Sequence, residues 1–88
     1  MKKSIEVGLL VYSIAGRDKG RFYIVTELVS DEYVKIADGS LRRVDTPKLK
    51  KIKHLKVQDE VLPKIYKKLQ EGQKIFDAEL NSALRPFN

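Results

Sequence analysis

The amino-acid sequence predicts a mostly β fold: a small closed barrel of about five short strands over residues 1–57, then a helical extension at 58–88 packed on it. Three observations predict it. Apolar residues follow a strand-like pattern up to about residue 57. Turn-forming Gly, Asp and Ser residues interrupt that stretch at short intervals. From residue 59 the apolar spacing changes to three and four, the period of a helix.

The first strand runs over residues 7–13, where Val7, Leu9 and Val11 face one way and Leu10 and Tyr12 the other. Apolar residues on both faces suit a strand wrapped into a barrel. Gly16 and Gly20 then bracket Arg17, Asp18 and Lys19 in a turn. Residues 21–29 are rich in β-branched and aromatic side chains and form the second strand. After the polar turn at Ser30, Asp31 and Glu32, Tyr33-Val34-Lys35-Ile36 is a short third strand. Asp38-Gly39 is a hairpin signal, and Leu41-Arg42-Arg43-Val44 is the returning strand, broken by Thr46-Pro47. Residues 51–57 supply the last strand. Closure is expected because so small a sheet otherwise exposes its edges and buries too little apolar surface.

In the extension, Asp59 is a candidate N-cap and Pro63 sits at the first turn. Val61, Leu62, Ile65, Tyr66 and Leu69 make an apolar stripe, and Gly72 stops the helix. Asp77 is a second candidate N-cap for a short helix over residues 78–84, with Leu80, Ala83 and Leu84 inward and Pro86 ending it.

At 88 residues the chain has room for one domain and not for two independent cores. It has no cysteine, which excludes disulfides and thiolate metal sites. A secreted domain this small is commonly stapled, so a cytoplasmic location is expected. The start is basic, but Glu6 and Gly8 interrupt the apolar run behind it, unlike a signal peptide. No stretch approaches the ~20 apolar residues of a membrane helix, and the basic strip is not helical in pattern, so no membrane contact is expected.

Net charge is +6 and the sequence pI about 9.6. Residues 42–56 hold Arg42, Arg43, Lys48, Lys50, Lys51, Lys53 and Lys56 against Asp45 alone, and the remaining residues balance. A neutral body with one basic strip has the electrostatic footprint of a protein that meets a polyanion.

The segment 8–21 adds a second basic element. Gly16 permits a sharp reversal and Gly20 a close strand start. The loop between them brings backbone amides, Arg17, Lys19 and Arg21 toward a phosphate backbone. This segment resembles the KOW motif of ribosomal proteins and transcription elongation factors. Glu6-Val7-Gly8, Ala15-Gly16-Arg17-Asp18-Lys19-Gly20, Asp31-Glu32-Tyr33-Val34, Arg42-Arg43-Val44 and Ile52-Lys53-His54-Leu55 follow the order and spacing of a longer pattern. That pattern is similar to the archaeal and eukaryotic large-subunit ribosomal protein family numbered fourteen-e, and to bacterial KOW-domain proteins like it. The resemblance spans roughly residues 5–57. It implies an SH3-like five-stranded barrel of KOW type, with ribosomal RNA as the expected ligand class.

The expected RNA-binding set is therefore Arg17, Lys19, Arg21, Arg42, Arg43, Lys48, Lys50, Lys51 and Lys53. Gly8, Gly16, Gly20 and Gly39 are expected at structural turns. Recognition through phosphates and shape is expected to be sensitive to salt. The alternative is a protein-interaction module of the translation or transcription machinery, using the apolar helix or a barrel edge. No catalysis, metal or cofactor is expected. His54 has no second histidine or cysteine to share a metal, the carboxylates of Asp18, Asp31, Glu32, Asp38 and Asp45 fall in turns, and Ser13 has no base beside it. A monomer is expected.

Overall fold

A computed structural model describes residues 5–88, and the basic start at residues 1–4 lies outside the described residues. Five strands, β1 (Leu10–Ser13), β2 (Phe22–Leu28), β3 (Tyr33–Ala37), β4 (Lys48–Lys51) and β5 (Leu55–Val57), form one antiparallel sheet in the order β4-β3-β2-β1-β5. A 3-10 turn at Ile52–His54 carries the chain from β4 to β5. Two helices follow, α1 (Pro63–Gln70) and α2 (Asp77–Leu84).

The closed SH3-like barrel of KOW type is corrected to an open sheet. β4 pairs with β3 and β5 with β1, and among the described residues no ladder joins β4 to β5. At three residues, β5 is short for a closing strand. The strand expected at 41–44 does not form, because carboxylates take the amides a ladder would need. Asp38 Oδ1 accepts from the amides of Ser40 (2.9 Å) and Arg42 (2.8 Å), and Asp77 Oδ1 accepts from that of Val44 (2.7 Å). The carbonyl of Arg42 in turn accepts from the amides of Asp38 and Gly39, closing a compact loop. The strand expected at 51–57 is interrupted by the 3-10 turn and survives as β5.

Alternation along the strands separates two buried clusters. One holds Leu10, Ile24 and Ala37 from the sheet with Ile65, Ile75, Leu80 and Leu84 from the helical segment. The other holds Val11, Tyr23, Val25, Val34, Ile36 and Leu55, all from strands. Each fully buried aliphatic side chain contributes about 1.5–3 kcal/mol, so both clusters are needed to hold a sheet this small.

The helices seat on glycines. A Cβ on Gly8 would lie 3.0 Å from Tyr66 of α1, and one on Gly39 would overlap the Asp77 carbonyl and the Asn81 amide of α2. Gly39 also has φ +79°, so its demand for glycine is double. Pro63 opens α1 at the first helical position, where its missing amide costs nothing, and Leu62 rather than Asp59 is the N-cap. At α2 the Phe76 amide donates to the Glu79 carboxylate (2.9 Å), half of a capping box. Asp77, the expected cap, serves Val44 instead.

Candidate polyanion-binding site

The two basic segments of the sequence meet around one buried carboxylate. Asp18 sits in the loop between β1 and β2 and is 6 % exposed. Its Oδ1 accepts from Arg42 Nε and lies 3.1 Å from Arg42 Nη2, and its Oδ2 is 3.5 Å from Lys50 Nζ. The Tyr23 hydroxyl donates to Oδ1 at 3.5 Å. Lys50, 7 % exposed, also donates to the Ala15 carbonyl at 2.7 Å, which the Ser13 hydroxyl shares. The inward position of Lys50 follows from strand alternation: along β4, Leu49 is half exposed while Lys50 points in.

Burial alone would raise the Asp18 carboxyl. The Arg42 hydrogen bond and the charges of Arg42, Lys50 and Lys48 outweigh it and hold the group below its ordinary value of 3.8. Burial, with the charges of Asp18 and Asp38 behind it, pushes the Tyr23 phenol above its ordinary 10.0. A second pair stands alongside. Asp38, 1 % exposed, accepts from Arg21 Nη2 at 3.3 Å, while Arg21 Nε is buried without a partner.

Three of the nine expected RNA contacts thus have internal duties: Arg21 on Asp38, and Arg42 and Lys50 on Asp18. Arg17, Lys19, Arg43 and Lys53 are exposed and have no ion pair among the described residues, as is Lys56. Lys48 is half-buried and near enough to Asp18 to stabilise its charge. Lys51 is half-buried, with Nζ 5.9 Å from the centroid of the Tyr33 ring. Lys53 joins the same edge, because the Ile14 amide donates to the carbonyl of its neighbour His54 (2.9 Å). Gly16 and Gly20 take φ +79° and +90° at the two ends of the loop that Asp18 pins down.

Asp18 and Asp38 are what the sequence pattern missed. Asp38 does cap amides, as a turn carboxylate should, but neither its burial nor that of Asp18 follows from a turn assignment. The available signal was an acid set between two cations inside a glycine-bracketed loop.

Other features hold less chemistry. An open groove of about 400 Å³ between β2, β3, the 44–47 segment and the end of α1 carries charges of both signs, Glu27 and Asp45 with Lys35 and Lys74. Among the described residues no group of three or more His, Cys, Asp or Glu could hold a metal ion. No helix among them is long and apolar enough to cross a membrane.

No family model matches the chain, and no curated protein matches it. The resemblance to KOW-domain and ribosomal proteins is therefore withdrawn along with the closed barrel, and no ribosomal role follows from it.

Proposed function

We propose that this chain is an RNA-binding module that grips phosphates with the 16–20 loop and the 42–56 strip, in the cytoplasm and without catalysis. The observation that carries the reading is the Asp18 joint. By holding Arg42 and Lys50, it draws the glycine loop against the basic strip, and Arg17, Lys19, Arg43 and Lys53 are left without acids of their own. Two cation-rich segments brought together at one carboxylate favour a polyanion, and lysine and arginine contacts of this kind favour recognition through backbone and shape.

The test is affinity for a short RNA hairpin as a function of salt, read by fluorescence anisotropy. About five neutralised phosphates give a loss of roughly 10²- to 10³-fold between about 50 and 200 mM monovalent salt. Joint reversal of Arg17, Lys19 and Arg43 to Glu is expected to abolish binding at the lower salt while leaving the fold intact. Affinity that is flat with salt, or unchanged by the triple reversal, overturns the reading.

A further inference from the structure

A row of aromatic rings crosses the sheet next to the 16–20 loop. Tyr12 on β1 is directly opposite Phe22 on β2 and, on its other side, opposite Lys56 on β5. Residues so paired project from the same face of the sheet. The Tyr12 and Phe22 ring centroids are 4.8 Å apart, and Phe22 continues to Phe87 at 5.6 Å. Phe22 and Phe87 pack against the helix-side core, and half-buried Tyr12, on the same face, stands at its margin. A Cβ added at Gly20 would lie 3.9 Å from the Tyr12 hydroxyl, so the end of the 16–20 loop stands beside the tip of that side chain.

We propose that this row is a stacking platform for an unpaired nucleobase, with Tyr12 as the ring the base meets and Lys56 and Lys19 as cations for the adjoining phosphates. The proposal rests on the RNA reading and deepens it, since the ligand then includes an unpaired nucleotide and not only duplex. Its physical basis is the combination in one row. A π face is one that every base can use, Tyr12 is half-buried and not enclosed, and an exposed lysine without an ion pair stands one strand away, within reach of a phosphate whose base lies on the ring. Phe22 packs against the Tyr12 ring and is itself backed by Phe87, so little side-chain freedom is lost when a base stacks.

Three probes separate this proposal from the reading beneath it: an eight-nucleotide oligouridylate, an abasic ribose-phosphate chain of the same length, and a short RNA duplex. The wild-type protein is expected to bind oligouridylate about five- to a hundredfold more tightly than the abasic chain. Tyr12→Leu removes that difference without changing affinity for the abasic chain or the duplex, and Tyr12→Phe keeps it. Equal binding of oligouridylate and abasic chain by wild type overturns the platform and leaves the RNA reading standing. Failure to bind any of the three overturns both. Should Tyr12→Leu not fold, photocrosslinking of 5-iodouridine-substituted oligouridylate to the wild-type protein decides. Attachment at Tyr12 or Phe22 supports the platform, and attachment elsewhere or none overturns it.

Discussion

Asp18 concentrates the residue-scale physics of this protein. A buried carboxylate is costly unless its charge is matched, and here two cations and a phenol match it. Asp18→Asn leaves Lys50 buried without its counter-charge and is expected to lower stability by about 3 kcal/mol, measured by urea unfolding at pH 7. The pH dependence has a definite sign. The carboxyl is held below its ordinary 3.8 in the folded state, so its contribution is complete above that value and is lost as pH falls through the lower folded one. The stability gap between wild type and Asp18→Asn is therefore expected to stay constant from neutral pH down to about 5 and to close below 3.8. A gap that narrows near pH 6 instead would sink this assignment.

At the scale of elements, apolar burial holds the helical segment, and glycines let it approach the sheet closely. Gly39→Ala must take a positive φ and also displace the first turn of α2, with an expected cost of about 2–4 kcal/mol, read as a lower thermal midpoint. Gly72→Ala meets nothing within 4 Å and serves as the control, since it bears only the positive-φ strain. These contacts also mark where the sequence stopped being informative. β2 and β3 were legible within a residue or so at each end, because their β-branched and aromatic runs carry the strand period. α1 and α2 were legible from their apolar spacing, although the caps at Asp59 and Asp77 were not. The 41–44 segment looked like a strand because local pattern says nothing about a distant carboxylate. Asp77, thirty-three residues further on, takes the Val44 amide. Likewise seven cations in fifteen residues announce a basic strip, but which of them turn inward depends on the β4 register and on Asp18. Arg42 and Lys50 could not be separated from Arg43 and Lys51 without that register.

On the scale of the whole molecule, one core spans sheet and helices. Leu10, Ile24 and Ala37 lie beneath Ile65, Ile75, Leu80 and Leu84, so a chain lacking residues 59–88 presents that face of the sheet to water. Such a truncation is expected to lose its cooperative thermal transition, followed by circular dichroism, and a sharp melt near the full-length midpoint would contradict the shared core. The Asn88 side chain adds to the same union. Its carboxamide pairs with both the amide and the carbonyl of Phe22, at 2.8 and 3.1 Å, and ties the end of the helical segment to the start of β2.

Among the described residues the ladder stops at β4 and β5 with no further strand beside either, the kind of margin along which copies of a protein zip into fibrils. Here each margin carries its own deterrent. β5 is three residues long and offers almost nothing to zip onto, while β4 carries half-buried Lys48 and Lys51 beside the inward, Asp18-paired Lys50, so a second copy approaching it meets two like charges. Lys48 and Lys51 thus keep neighbouring molecules apart in a crowded solution, and a bound polyanion that neutralised them would remove that guard.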